Sequence, residues 1–359
     1  MIHSKPHLLL SDLYKWFDNK IYNVSFEKKF KKVEWAHSGA ECLAEICSNI
    51  ASKKKRKINI CMPAYFCGQS LKFLRSIPVN FYFYELDENF LPDYSKITHF
   101  NKSLTLDVFI HVHYFGNISG QKESRVYADK MNAYLIEDCA HVISPFIKSK
   151  WYGDFLIFSP HKHYPLPSIG LTISRDKYSE IKRFEKDNFP FIWIIKEILK
   201  RFKFWKKSTL WSVLWSRKIQ QLKPREVHWR KKSVTSFYLL NYALFSKIRM
   251  KNAKDLARNL SESQGWQPIQ NIDQIESPYI VGMRCDTIEI AKKRFEILNK
   301  TDQLVMQWPD LPNEIREDES LKTQVETMSS KILFFFVHQS INNHELLSKV
   351  QSLKNKPNF

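Results

Sequence analysis

The chain has 359 residues, 43% of them hydrophobic, so it can bury a large core and is not a disordered protein. No apolar run reaches the roughly 18 to 20 residues that span a bilayer, and the first residues lack the core of a signal peptide, so the cytoplasm is the expected compartment. The formal net charge of +19 raises nucleic acid and anionic membranes as partners.

Most of the excess positive charge lies in one segment. Residues 182 to 232 contain 16 Lys and Arg against four acids, together with five of the ten tryptophans. This mixture suits the headgroup layer of an anionic membrane, a substrate that carries several phosphates, or a helical subdomain that packs its aromatic rings on the core. Nucleic-acid binding is less favoured, because no recognised reader motif accompanies the charge.

The cysteines and histidines indicate no metal centre. The six cysteines lie mostly in apolar stretches without a Cys-x-x-Cys pair, so we expect reduced, buried thiols. Two His-x-His pairs, His111 with His113 and His161 with His163, could approach a metal from one face. No matching Cys or carboxylate cluster completes a zinc site, and we therefore predict no metal.

A helix and a sheet are predicted in the first half of the chain. The helix covers 40–50 and is entered directly from Ser38 and Gly39, where its N-terminus suits an anion such as a phosphate. An ordinary serine cap is the alternative. Short apolar runs then predict buried, mostly parallel strands of a doubly wound α/β sheet, whose ligands bind beyond the carboxyl ends of the strands. The predicted strands cover 58–62, 79–84, 108–112, 133–136, 155–158 and 170–173.

Three parts are predicted along the chain. A large domain covers 1–181, a basic and Trp-rich helical insert covers 182–235, and 236–359 forms a linker helix with a small C-terminal domain. Within the last part, the apolar pattern predicts a helix over 237–260, a mixed α/β region over 277–338 and an amphipathic helix over 343–353.

Two carboxylates and a lysine lie at or just beyond the ends of predicted strands. Glu137 and Asp138 end one apolar run, and Lys162 follows the next. A carboxylate at a strand end and a lysine beyond the next strand can hold pyridoxal phosphate, because the acid pairs with the ring nitrogen and the lysine bonds to the aldehyde. Alone, this spacing also fits an ion pair and a surface lysine.

These residues belong to a series of motifs that occur in a fixed order: SGA from Ser38, PAYFCG from Pro63, VHYFG from Val112, YLIEDCAH from Tyr134 and SPHK from Ser159. In this order they resemble a divergent branch of the DegT/DnrJ/StrS-type sugar aminotransferases over residues 34 to 174. The lysine segment is two residues shorter than in many members, so an ungapped alignment places Tyr164 at the lysine. The branch with a Pro-rich stretch after the lysine fits Lys162.

The resemblance implies two catalytic residues. Lys162 would bond to the cofactor and, when released, move a proton between the substrate carbon and the cofactor carbon. Asp138 would pair with the pyridine nitrogen, with Glu137 as the competing carboxylate. His141 would lie near the phenolic oxygen of the cofactor.

The resemblance also implies a phosphate site and a stacking residue. Ser159 and the backbone at Gly39 and Ala40, beside Ser38, would take the phosphate. The ring that stacks on the cofactor is expected from the PAYFC segment. Tyr65 and Phe66 are the two candidates, and either could equally belong to the core.

The implied protein is a fold type I enzyme dependent on pyridoxal 5'-phosphate. It would transfer an amino group, with glutamate as donor, to a nucleotide-linked keto sugar in bacterial surface-polysaccharide synthesis such as that of lipopolysaccharide. The resemblance further implies a homodimer with residues of both subunits at each site. The basic insert would add contact with a membrane surface. The alternative is a protein that kept the fold, lost transamination and serves as a membrane-associated scaffold.

Overall fold

A computed structural model describes residues 6–21, 25–30, 32–97, 100, 104–175, 185–199, 225–261, 265–300, 305–307 and 311–354. Its centre is a seven-stranded sheet with strand order β1-β7-β6-β5-β4-β2-β3. The strands are β1 Lys32–Ala36, β2 Ile58–Pro63, β3 Val79–Tyr84, β4 Val108–Val112, β5 Tyr134–Cys139, β6 Phe155–Phe158 and β7 Gly170–Ser174.

Strands β2 to β6 run parallel, whereas β7 is antiparallel to both of its neighbours, β6 and β1. Every residue of β2 and β4 is buried. Because helices and loops cover both faces of such a sheet, its strands form almost continuous apolar runs. The predicted mostly parallel, doubly wound sheet is confirmed.

A second sheet is antiparallel and lies in the C-terminal part of the chain. It has four strands in the order β10-β11-β13-β12. Its buried residues join those around β2 and β4 in one apolar cluster, which includes Ile60 and Phe334. These strands are β10 Trp266–Pro268, β11 Ile280–Cys285, β12 Val305–Met306 and β13 Ile332–Phe336.

Helices flank both sheets. They are α1 Leu10–Leu13, α2 Gly39–Lys54, α3 Gln121–Lys130, α4 Phe191–Leu199, α5 Trp229–Leu240, α6 Tyr242–Ser261, α7 Ile288–Asn299, α8 Asn313–Arg316, α9 Glu319–Ser329 and α10 Asn343–Lys354. The single helix predicted over 237–260 is wrong at its start. Asn241 separates α5 from α6, and its side-chain amide donates to the Phe237 carbonyl at 2.8 Å. Asparagine often interrupts a helix by bonding to the backbone in this way.

The basic segment packs partly on the core. A two-residue parallel pair, β8 Glu185–Lys186 with β9 Arg225–Glu226, brackets it. Trp193 in α4 packs against Trp16 with ring centroids 5.7 Å apart, whereas Phe191 and Ile192 are exposed. Residues 200–224, with the predicted basic and tryptophan-rich stretch, lie outside the described residues. Among the described helices, none is long and apolar enough to cross a bilayer.

One close backbone contact fixes α2 against the sheet. A Cβ atom at Gly170 would lie 2.4 Å from the backbone carbon of Ser38 and 2.7 Å from the Gly39 nitrogen. No side chain fits there, so the start of α2 can approach β7 only because residue 170 is glycine.

We expect Gly170→Ala to lower the free energy of unfolding by roughly 1–3 kcal/mol, because the added methyl group must displace backbone atoms. Chemical denaturation measures this loss. Gly282→Ala is the matched control, since the nearest atom there is the flexible end of the Ile269 side chain. A Gly170→Ala variant as stable as the parent would contradict the importance of this contact.

Candidate active site

A cavity of about 700 Å³ lies beyond the carboxyl ends of the parallel strands. Its size matches that of pockets for a small molecule or cofactor. The structure brings together in this cavity all nine residues that the sequence predicted for the site. These are Ser38, Gly39, Ala40, Tyr65, Phe66, Asp138, His141, Ser159 and Lys162.

The two acids at the end of β5 point to different places. Asp138 lines the cavity and accepts a hydrogen bond from the Ala140 N–H at 2.9 Å. Burial raises the pKa of Asp138, and the positive charge of Lys162 acts in the opposite direction. Glu137 is fully buried away from the cavity. It bonds to His113 at 2.7 Å and accepts from the N–H groups of Tyr152 and Gly153. Asp138 is therefore the acid that can reach a ligand.

Lys162 ends a short 3-10 turn, Pro160–Lys162, directly after β6. Its Nζ atom lies 6.0 Å from the centroid of the Tyr279 ring. Tyr164, the alternative from the ungapped alignment, is fully buried elsewhere. Its hydroxyl donates to the Ile143 carbonyl at 3.1 Å, and its ring stacks on Tyr238. The geometry thus offers Lys162, rather than Tyr164, to the cavity.

The start of α2 and Ser159 form a tight cradle. Ser38 caps the helix, since its hydroxyl accepts from the Glu41 N–H at 3.2 Å, as the alternative interpretation of this serine predicted. The N–H groups of Gly39 and Ala40 belong to the first turn, where the helix supplies no acceptor. A Cβ atom at Gly39 would lie only 2.3 Å from the Ser159 hydroxyl. A hydroxyl and helix N–H groups at such close range suit a phosphate.

His141 lies between two aromatic rings. Its ring stacks on Tyr279, with centroids 4.5 Å apart, and more distantly on Phe115. Phe115 adopts a left-handed backbone conformation with φ of 59°, and its N–H donates to His141 Nδ1 at 3.3 Å. Burial lowers the pKa of His141 well below its usual range, and Lys162 acts in the same direction. Because Nδ1 accepts, the neutral imidazole carries its proton on Nε2.

Tyr65 and Phe66 both line the cavity and are both buried. Tyr65 also belongs to an aromatic cluster, since its ring lies 5.5 Å from Phe90 and 5.6 Å from Tyr114. The structure therefore places both predicted candidates for the stacking ring in the cavity wall.

The histidine pairs are held by hydrogen bonds. His111 contacts the Ser119 carbonyl at 3.0 Å and the Ser124 hydroxyl at 2.7 Å, and His163 contacts the Ala140 carbonyl at 3.2 Å. One buried group in the described part of the chain, His113 with Glu137 and Cys139, has ligand atoms within 4.8 Å of one another. Both carboxylate oxygens of Glu137 already accept hydrogen bonds, as described above.

Sequence reasoning missed two site residues, Tyr279 and Arg249. Tyr279 lines the cavity from the loop before β11, and Arg249 lies behind it on α6. Both residues come from regions more than 80 positions after Lys162, and no local motif marks them. Only the folded chain brings them to the sheet edge.

Comparisons by sequence give no match. No protein-family model matches the chain, and no curated protein is significantly similar. Solved structures do match over nearly the whole chain. PseC from Helicobacter pylori, an aminotransferase involved in the biosynthesis of pseudoaminic acid, is 13% identical with a TM-score of 0.72 over 98% of each chain.

Two further structures are similar. A putative sugar aminotransferase from Streptococcus pneumoniae, in its PMP form, is 12% identical with a TM-score of 0.68 over 99% of each chain. A DegT DnrJ EryC1 StrS aminotransferase from Brucella abortus is 12% identical with a TM-score of 0.63, over 98% of this chain and 92% of that one. The chain therefore has the fold of these aminotransferases, and the predicted fold type I architecture is confirmed.

The cavity fits pyridoxal phosphate by its own chemistry. An acid at the floor, a lysine at the end of the next strand and a cradle too tight for a Cβ atom at Gly39 are the three features that this cofactor needs. Asp138, Lys162 and Ser159 could hold the ring nitrogen, the aldehyde and the phosphate, respectively. These individual roles stay predictions.

The buried histidines predict a pH dependence of stability. Burial lowers the pKa of His111, His141 and His163 well below the ordinary value of about 6.5. Below that pH the unfolded chain takes up protons that the folded chain cannot, so we expect the free energy of unfolding to decrease as the pH is lowered. The slope approaches about 1.4 kcal/mol per pH unit for each histidine once the pH is well below about 6.5. Asp138, whose pKa burial raises, reduces this slope.

Denaturation curves at pH of about 7.5, 6.5 and 5.5 measure the slope. His111→Asn removes one of the three imidazoles and should reduce the slope by about a third. Equal stability at all three pH values would mean that these rings are not sealed from solvent.

Proposed function

We propose that this protein is a pyridoxal-phosphate-dependent aminotransferase that transfers an amino group from an amino acid to a nucleotide-linked keto sugar. The observation that carries the proposal is the placement of Asp138 and Lys162 in one cavity with the cradle of Gly39 and Ser159. Its fold is that of sugar aminotransferases. The scaffold alternative lacks support from these likenesses.

Asp138 would orient the bound cofactor and set its charge. When bound, pyridoxal phosphate supplies an electron sink for the negative charge left when the donor loses its α proton. Asp138 would hold a proton on the ring nitrogen, because the two opposite charges stabilise each other. Burial raises the pKa of Asp138, and a cation beside it acts in the opposite direction, so a protonated ring nitrogen would favour the ionised carboxylate.

Lys162 would hold the cofactor before the donor binds. Once the donor has displaced the lysine amine from the cofactor, Lys162 would accept or return the α proton. Such an amine must be neutral to accept a proton. Ser159 and the first N–H groups of α2 would anchor the phosphate, and the Nε2–H of His141 would donate to an anionic oxygen. These groups come from the rigid edge of the sheet, which favours a fixed orientation of the ring.

The substrate class rests on the resemblance and on the structural neighbours. Glutamate is the proposed donor, and bacterial surface-polysaccharide synthesis, including that of lipopolysaccharide, is the proposed setting. We also propose a homodimer in which both subunits contribute to each site, and the division into parts at 1–181, 182–235 and 236–359.

Borohydride treatment tests the cofactor and the lysine together, since it makes the bond between a lysine and the cofactor permanent. After treatment with pyridoxal phosphate, peptide mass spectrometry should locate the adduct on Lys162. Lys162→Ala should lose the adduct and at least about a thousandfold of the rate with glutamate, because covalent attachment and proton transfer are both removed.

Lys72→Ala is the matched control. Lys72 lines the same cavity but at its exposed rim, so its removal should leave the adduct on Lys162 intact. An adduct on Lys72, or no adduct on a folded protein, would contradict the proposal and favour the scaffold.

We further propose that the surface around α4 contacts an anionic membrane. Phe191 and Ile192 are 57% and 69% exposed, and Phe17, on the neighbouring N-terminal segment, is 55% exposed. Arg230 lies over the ring of Phe189, with 5.7 Å between the guanidinium and the ring centroid. Exposed apolar side chains beside basic ones suit the headgroup layer, and residues 182–232 carry 16 Lys and Arg against four acids.

The double variant Phe191→Ser with Ile192→Ser should weaken binding to vesicles that contain phosphatidylglycerol by about tenfold or more, because each buried apolar side chain contributes roughly 1.5–3 kcal/mol. Co-sedimentation measures the binding. Leu244→Ser is the control, since Leu244 is 63% exposed but lies on α6. Equal binding by the parent protein and the double variant would show that this surface does not contact the membrane.

A further inference from the structure

Arg249 is a fully buried cation whose acceptors are neutral oxygens. Its guanidinium donates to the carbonyl of His163 at 2.9 Å, to the side-chain oxygen of Gln339 at 3.0 Å and to the carbonyls of Pro278 and Tyr279 at 3.5 and 3.4 Å. Burial lowers the pKa of Arg249 to about 10, so it is charged at neutral pH. No carboxylate in the described part of the chain pairs with Arg249. A buried charge without such a partner is costly, and such a group often serves a function.

The acceptors of Arg249 belong to the two segments that carry Lys162 and Tyr279. His163 directly follows Lys162, and its carbonyl also accepts from the Gln339 amide at 2.7 Å. Tyr279 presents its ring to the cavity, 6.0 Å from Lys162 Nζ, while its N–H donates to the Phe115 carbonyl. One guanidinium therefore ties the turn of the lysine to the loop on the opposite side.

We propose that Arg249 is a positioning residue that holds the turn of Lys162 at a fixed position relative to Tyr279. Through its positive charge, Arg249 also favours the neutral form of the lysine amine. This inference rests on the proposed function, in which Lys162 accepts a proton. A positive charge raises the cost of a second positive charge nearby, and few water molecules screen the two in a buried site.

The charge of Arg249 acts within a mixed set of groups. Asp138 favours a protonated Lys162, whereas Arg249 opposes it. The histidines are buried or half-buried, and burial followed by the charge of Arg249 lowers the pKa of His163. Among the described residues, the ionisable groups around Lys162 include Asp138, His141, His161, His163, Arg249 and Tyr279, and two further cations, Lys72 and Arg75, line the same cavity.

Competitive acetylation of the cofactor-free full-length protein measures the charge effect without relying on activity. Acetic anhydride labels neutral amines, and peptide mass spectrometry over a pH series gives a labelling midpoint for each lysine. Arg249→Met should raise the midpoint of Lys162 by about one pH unit, because a nearby positive charge is lost. Arg249→Lys keeps the charge and should leave it within a few tenths of a unit of the parent value.

Lys72 in the same samples is the internal control, and its midpoint should not move. If Arg249→Met does not fold, as judged by circular dichroism, Arg249→Gln removes the same charge with a side chain that can still bond to a carbonyl. An unchanged Lys162 midpoint in a folded, uncharged variant would overturn the electrostatic part of the proposal.

The positioning part predicts a different pattern. Gln339→Leu removes the second donor to the His163 carbonyl but leaves the charge of Arg249 in place. We expect kcat for Arg249→Lys and Gln339→Leu to fall by about tenfold to a hundredfold, as small displacements of a reacting group do, with the Lys162 midpoint near its parent value. Parent-like kcat in both variants would overturn positioning.

The outcomes separate this inference from the proposed function. A midpoint shift without a borohydride adduct on Lys162 would refute the aminotransferase proposal and keep the influence of Arg249 on the lysine. An adduct on Lys162 without a midpoint shift would support the aminotransferase proposal and refute the influence of Arg249 on the charge of the lysine.

Discussion

The register between β5 and β6 is the constraint on which the rest of the site depends. Asp138 pairs with Ile157 and Cys139 with Phe158, so the strand that carries the acid ends beside the strand that leads to Ser159 and Lys162. Adjacent residues of a strand face opposite sides, and a slip by one position would turn Glu137 into the cavity instead. The hydrogen bonds of Glu137 to His113 and to the loop at 152–153 oppose such a slip. A buried acid on one face thus helps to keep Asp138, the acid that lines the cavity, on the other face.

The cavity is completed by close backbone approaches on one side and by aromatic side chains on the other. Glycine at 39 and 170 lets α2, β7 and Ser159 meet at distances that exclude a Cβ atom. On the opposite side, the loop before β11 brings Tyr279 onto His141, and Phe115 holds the imidazole through a backbone N–H. A left-handed backbone at a non-glycine residue costs of order 1–3 kcal/mol and persists only where its surroundings enforce it. At Phe115 the backbone N–H donates to His141, and the backbone carbonyl accepts from the Tyr279 N–H at 2.9 Å.

Local pattern explains how much of this could be predicted. The strands over 58–63, 108–112 and 155–158 are short apolar runs between polar stretches. This pattern is typical of buried parallel strands, so it predicts them well. A fourth run, over 134–139, carries Asp138 near its end, and the run over 155–158 leads to Lys162. The pattern therefore places both residues at the sheet edge, whereas their predicted roles come from the resemblance. The break at Asn241 was not predicted, because a single side-chain hydrogen bond to Phe237 competes with an otherwise helical pattern. The sequence did not predict Arg249 and Tyr279 either, because their place near the cavity depends on contacts with residues far away in the chain.

The four contacts of Arg249 also bear on the order in which the protein folds. Two of its acceptors are distant in sequence: His163 lies 86 residues before it and Gln339 lies 90 residues after it. Contacts that close such long loops form late, because the entropy of closure is lost before the contact stabilises anything. During synthesis the large sheet can pair its strands well before the ribosome has made Gln339. The pocket of the nascent chain would then stand open, with the lysine turn unsupported, until the last part of the polypeptide docks.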